Sequence, residues 1–443
     1  MLMASAKTIA GQCAIFWIVP LAGGVLTFAT YWIGVRLRRP WVGVTAAWLV
    51  ATSPTMLFMV MAPMSDVPAA AAWAAAVALA LSDAPLGAAA SGVAASIAIL
   101  VRPNLVPLAA ILAVWIVCRD GLPLHAARMV RLLAFALPVA AGATAVAAIN
   151  ARLYGSPLAS GYGDLSDAYA LSYVGPNLAR YGAWLLMAET PLALAGLVTL
   201  VVPATRVWTT PESRRARWLL ASVAAGVWVS YLLYVPWDAW WYLRFLLAAW
   251  PMMALGAASL LAGLAAAIAV PRVAAMRAIV VVAIAALGLA GVRRAIRLDV
   301  FNQQSGEAKY VETANAVEAI TSPDDVIISG QFSGTVRYYA GRLTLRWDWL
   351  NPQWLERAVE WLSARGHHVY ILLEAPEVEP FRTRFAGTSA IGKVDWVPLV
   401  TFRGRSIQLH DAIRRDRFER PIEQTPLVTV RDCPLQKPFP TLR

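Results

Sequence analysis

Charge, histidine and cysteine are all scarce in this sequence, and each shortage closes a class of function. Only 14% of the 443 residues are charged, and there are four histidines and three cysteines. Cys13, Cys118 and Cys433 fit neither metal-ligand nor disulfide spacing, so no zinc site and no disulfide framework is read from them. The adjacent His367 and His368 precede a strand-like run, which reads as structure rather than as a metal site. No metal and no cofactor is expected. The net charge of +12 does not mark a nucleic-acid binder, because the arginines stand in short loops between apolar runs and not on one soluble face.

What is abundant is apolar surface. Hydrophobic residues make up 59% of the chain, with a mean hydropathy of +0.59, more than a soluble core can hide. The sequence predicts a polytopic α-helical membrane protein. Apolar windows of about 20 residues mark about ten spans, the first at 13–35 and the last at 276–292. Alternate loops differ in arginine. One set holds twelve, at 36, 38, 39, 119, 128, 131, 206, 214, 215, 217, 272 and 277. The other holds eight basic residues even when Lys7, Arg293, Arg294 and Arg297 join Arg102, Arg152, Arg180 and Arg244. The positive-inside rule therefore places the first set in the cytoplasm and the second set outside.

Beyond residue 297 the apolar runs shorten and charge rises. "DDVIISG" reads as a buried strand, "PQWLERAVEWLSARG" as an amphipathic helix ending at Gly366, and "HHVYILLE" as a second buried strand. The chain thus divides into a multispan domain, 1–297, and an external α/β domain of βαβ type, 298–443. The glycines of "SGQFSGTVRYYAG" follow a strand but lack dinucleotide spacing, so an ordinary strand-to-helix turn is the better reading there than a phosphate loop.

Site candidates lie on the external side. Asp66, in "MAPMSDVPAA", is either an N-cap beside Ser65 or a site carboxylate, since an acid at that depth needs water or a partner. Arg102, next to Asn104 in "LVRPNLVPL", either snorkels to the interface or grips a phosphate with two parallel hydrogen bonds. The segment 150–182 is too long for a connector, and its Tyr162 and Asp164 suit sugar or head-group binding as well as an interfacial helix. In "YVPWDAWWYLRFLLAAWP", Trp237, Trp240, Trp241 and Tyr242 read as a belt whose faces can stack on a sugar or prenyl chain. Arg244 there suits a phosphate, with Asp238 orienting it.

The stretches "SPTMLFMVMAPMSDVPAAAAW", "ILVRPNLVPL", "YGSPLASGYG", "PNLARYGAWL" and "WDAWWYLRFLLAAWP", in that order, resemble polyprenyl-phosphate-sugar-dependent glycosyltransferases of the GT-C fold. These include the dolichyl-phosphate-mannose protein mannosyltransferases and the aminoarabinose transferase. The resemblance implies a bacterial inner-membrane protein with a periplasmic C-terminal domain. It also implies a polyprenyl-phosphate-sugar donor, an acceptor the sequence does not name, and an aspartate in the first external loop acting as general base. Here the chain departs from the pattern, for no acidic residue precedes Asp66. The expectation is a chain lacking its first span and first external loop, weak or inactive in transfer. The alternative is a non-catalytic lipid-binding or partner subunit that keeps the scaffold.

Overall fold

Proline sets where many of the helices begin. In the computed structural model, which describes residues 2–82, 85–119, 126–159, 168–267, 273–402, 406–415 and 422–424, proline occupies the first helical position of α3 (Pro40–Ala51), α4 (Pro54–Val60), α7 (Pro107–Cys118), α10 (Pro191–Val201) and α11 (Pro211–Leu232). Its missing N–H costs nothing there and its fixed φ suits the first turn. The other helices of the first unit, Met1–Phe301, are α1 (Leu2–Ala10), α2 (Ile18–Arg36), α5 (Asp66–Ala80), α6 (Pro85–Val101), α8 (Ala126–Tyr154), α9 (Val174–Trp184), α12 (Trp250–Ala267) and α13 (Val273–Arg297).

Four described helices are long and apolar enough to cross a bilayer: Gln12–Arg36, Ala126–Tyr154, Trp250–Ala267 and Ala278–Arg297. The pair α3 and α4, bent by 62° at Thr52–Ser53, has together the length and apolar character of a fifth span or of a re-entrant loop. The shorter apolar helices Asp66–Ala80, Leu86–Val101, Pro103–Cys118 and Pro191–Val201 complete the apolar unit. Two apolar stretches long enough to read as single spans are interrupted: 41–61 breaks before Pro54, and 183–203 breaks at Thr190, after a π-helical turn at Leu185–Glu189.

Small residues set the packing of this unit. The alanine-rich α5 is buried along most of its length, with Trp73 fully enclosed, and lies against α2 and α6. Gly196 of α10 and Gly256 of α12 face each other so closely that a Cβ on Gly196 would strike Met253 O, and one on Gly256 would strike Gly196 O. Backbone contact through small residues is what drives helix pairing where lipid offers no hydrophobic contrast.

The second unit, Asn302–Arg443, has the βαβ character expected, extended by antiparallel strands. Its strands are β1 (Val326–Ile328), β2 (Leu343–Leu345), β3 (Val369–Glu374), β4 (Val400–Phe402), β5 (Ile407–Asp411) and β6 (Ile422–Gln424), in the order β2-β1-β3-β5-β4-β6. β1 pairs in parallel with β2 and β3, while β5 runs antiparallel to β3 and β4. Alternate residues go to opposite faces. Val326, Ile328, Ile371 and Leu373 pack under α15 (Leu355–Ser363) and α16 (Ala375–Phe385). Ile327 and Leu372 pack with α14 (Gln303–Ile320) and Phe332.

The histidines of this unit serve the fold. His367 Nδ1 bonds Asp324 O at 2.6 Å, and His368 Nε2 lies 2.9 Å from Asp411 Oδ1. The turn after β1 gives its Gln331 N–H to the carboxylate of Glu377, at 2.9 Å. A third histidine, His410 on β5, is buried, and burial, with Arg382 nearby, lowers its pKa to about 4. The unfolded chain therefore takes up a proton near pH 6.5 that the folded unit refuses until about pH 4, so stability is full above 6.5 and falls with pH across that window. The expected loss is about 3 kcal/mol. Pulse proteolysis of the full-length protein in lipid, in urea at stepped pH, should show it, and His410→Gln should flatten that dependence. An equal slope in wild type and variant would remove His410 as the cause.

Candidate functional site

At its N-terminus α5 carries an acid that caps nothing. Ser65 is the N-cap residue and makes no side-chain capping bond, so the N-cap reading of Asp66 is corrected. Asp66 is buried and its Oδ1 accepts a hydrogen bond from Arg102 Nη1, closing an ion pair. Arg102 reaches it because Pro103 ends α6 there and leaves Arg102 in extended conformation. An arginine at membrane depth needs such a partner.

The guanidinium of Arg102 also lies over the rings of Tyr231 (5.4 Å) and Phe245 (5.3 Å). Those two rings stack on each other, 4.9 Å apart and 3° from parallel. Arg244 approaches the same Phe245 ring, at 5.3 Å, and the Tyr242 ring at 4.8 Å. Two arginines distant in sequence are thereby gathered around one aromatic pair. Such rings hold guanidinium groups without neutralising them.

Asn104 donates to Tyr231 Oη at 2.8 Å, and its own Oδ1 is buried with no hydrogen-bond partner. Arg244 Nε is likewise buried and unpartnered, while its Nη1 meets the sulfur of Met64. A buried donor left unmet costs roughly 1–3 kcal/mol, more when charged. An anion at Arg244 would meet it.

The aromatic belt is built on the turn Trp240–Leu246. Trp241 stacks on Phe58 of α4 (6.0 Å, 13°), Trp240 meets Phe58 edge-on, and Tyr242 stacks on Trp237 (5.0 Å, 16°). Several faces expected for a ligand are thus taken by the protein's own rings, although Trp237 and Trp241 remain 44% and 40% exposed. Asp238 does not orient Arg244. It is 90% exposed and pairs loosely with Arg180 at 3.7 Å. That reading is corrected as well.

The loop after Tyr231 is pinned by Asn177 of α9, whose amide donates to the carbonyls of Tyr231, Leu232 and Tyr234. Tyr169 and Tyr234 form an antiparallel bridge with rings 5.3 Å apart, which brings the end of the 150–182 segment to this edge. Tyr162 and Asp164 lie outside the described residues. The structure thus joins Asp66, Arg102, Asn104, Tyr242 and Arg244, with Trp241 alongside. Sequence reasoning missed Tyr231 and Phe245, which sit inside apolar windows; the hydroxyl of Tyr231 in "VSYLLYVPW" was the available signal.

No family model and no curated protein matches the sequence. Solved structures do match. ArnT from Cupriavidus metallidurans in the apo state is 12% identical, with a TM-score of 0.54 over 93% of this chain and 86% of that one. The apo oligosaccharyltransferase of Archaeoglobus fulgidus is 11% identical, with a TM-score of 0.54 over 95% of this chain and 66% of its own length. The chain has the GT-C fold. A further A. fulgidus structure, AglB in complex with an inhibitory peptide and a dolichol-phosphate, gives a TM-score of 0.53 at 10% identity over 86% of this chain. This GT-C chain spans 62% of the length of that protein.

Proposed function

We propose that this protein binds a polyprenyl-phosphate-linked sugar at the Asp66, Arg102 and Arg244 site, as a membrane glycosyltransferase of weak transfer activity. The observation that carries the reading is the buried, unpartnered Nε of Arg244 beside a second guanidinium on the same ring. Two arginines give a lipid phosphate directional donors and charge together. The exposed faces of Trp237 and Trp241 suit a sugar or prenyl chain. The fold supports the reading, since the matched AglB structure holds a dolichol-phosphate.

Topology follows from the loops. About ten spans, with the short and broken helices each counted as a crossing, leave the arginine-rich loops in the cytoplasm and the site and C-terminal α/β unit in the periplasm of a bacterial inner membrane. The second reading, a lipid-binding subunit without catalysis, is favoured by the commitment of the Asp66 carboxylate to Arg102.

Capture of a photoreactive polyprenyl-phosphate probe tests the binding. Arg244→Gln is expected to lower capture per folded molecule by roughly tenfold or more, the loss of one charged hydrogen bond of about 1.5–3 kcal/mol. Arg215→Gln, on the exposed start of α11, should leave it unchanged. Equal capture by both variants would remove the phosphate from Arg244.

A further inference from the structure

Glu189 is a carboxylate buried in the apolar unit, 8% exposed, at the end of the π-helical turn Leu185–Glu189. It belongs to none of the groups assembled at the candidate site. Its Oε1 accepts two hydrogen bonds, from Ser53 Oγ at 2.8 Å and from Thr55 N at 3.1 Å. Both donors stand at the break where α3 stops and α4 starts, 62° off line. Ser53 in turn caps α4, accepting from Met56 N at 3.2 Å.

The turn that presents Glu189 is itself held. Arg294 of α13 donates to the Glu189 carbonyl at 2.9 Å and to the Leu186 carbonyl at 3.3 Å. A cavity of about 60 Å³ lies against the break, bounded by Leu49, Pro54, Glu189, Trp250, Met253 and Leu287. Broken helices at membrane depth occur where other groups satisfy the freed backbone. Here the freed N–H of Thr55 goes to a carboxylate.

Downstream of the break the chain delivers three contacts to the candidate site. Phe58 on α4 stacks on Trp241, Met64 meets Arg244, and Asp66 pairs with Arg102. The direction of α4 sets where all three arrive.

We infer that Glu189 is a positioning residue: by clasping the α3–α4 break through Ser53 and Thr55, it aims α4 so that Phe58, Met64 and Asp66 meet the aromatic turn and the two arginines. On this reading the residue acts through α4 and not on the ligand itself. The inference rests on the lipid-phosphate reading for its functional consequence, though not for its geometry.

A spectroscopic probe separates the two. Fluorotryptophan placed at position 241 in the full chain, reconstituted in lipid, gives a ¹⁹F resonance that senses the ring current of Phe58. Glu189→Leu is expected to move that resonance toward its position in a Phe58→Leu control and to cut probe capture roughly tenfold, since a misplacement of about 1 Å can cost 10²-fold. Glu189→Gln keeps an acceptor oxygen for both donors and should restore the resonance and at least half of the capture. If Glu189→Leu fails to fold, Ser53→Ala removes one donor and should shift the resonance part of the way. A resonance unmoved in Glu189→Leu, or in Ser53→Ala where that variant stands in, overturns the inference. A resonance that moves and returns with Gln, while capture stays constant throughout, supports the positioning and overturns the lipid reading of the site.

Discussion

Asp66→Ala is expected to destabilise the protein by about 3–5 kcal/mol, and replacing both Asp66 and Arg102 by Leu is expected to recover most of that loss. The carboxylate is almost wholly buried, and the guanidinium it answers is only 19% exposed in its side chain. Removing the acid leaves Arg102 against the rings of Tyr231 and Phe245, contacts worth about 0.5–2 kcal/mol each. Those rings do not replace an opposite charge in a region short of water. Replacing both members with apolar side chains removes the unmet charge, and buried pairs replaced in this way are often neutral. A double-mutant cycle on unfolding in mild detergent measures the coupling directly. Singles that each cost under about 1 kcal/mol, with no coupling, would show that water reaches the pair and that it behaves as a surface bridge.

The same pair shows where the sequence was legible. Membrane class and the βαβ core of the second unit follow from local patterns, the long apolar runs and the buried-strand stretches "DDVIISG" and "HHVYILLE"; the helix starts at Pro54 and Pro191, inside apolar stretches, did not. Asp66 and Arg102 were each legible as charges needing a partner, because an intramembrane charge is costly wherever its partner lies. Their pairing across 36 positions was not, since no periodicity links α5 to the end of α6. Asp238 misled for the opposite reason. Its closeness in sequence to Arg244 suggested a pair, but Asp238 pairs with Arg180, while Arg244 lies on the following turn Trp240–Leu246.

Glu189 illustrates a further limit. One acid in an otherwise apolar window reads as a flaw in a span, and only the break at Pro54, on a different helix, explains it. Strands β4 to β6 went unread because they are short, three to five residues, and draw their stability from pairing, β5 antiparallel to β3 and β4 and β6 parallel to β4, rather than from their own pattern.

Hexosyl transfer by this chain is expected to be weak, and Asp66→Asn is expected to change what little there is by less than about twofold. A hydroxyl attacking a sugar needs a base within hydrogen-bond reach, and such a base contributes about 10²- to 10⁴-fold, or roughly 3–5 kcal/mol of barrier. Among the described residues, four acids lie on the elements that form or adjoin the site, and one of them, Glu212, stands at the opposite end of α11 from Tyr231. Asp66 has given an oxygen to Arg102 and is buried against it. Asp238 is exposed beside Arg180, and Glu189 is occupied at the helix break. Asn at position 66 still offers an amide oxygen to Arg102, so a hydrogen bond to the guanidinium is kept while any basicity is removed, and turnover is read per folded molecule. The measurement is turnover of polyprenyl-phosphate hexoses with broad acceptors, by the purified chain in lipid, alongside the Asn variants at 66 and 164. Brisk turnover lost in Asp66→Asn would make the Arg102-bound carboxylate the working base, and turnover lost in Asp164→Asn would place that base in the 150–182 segment; either result would replace weak transfer with a complete active site.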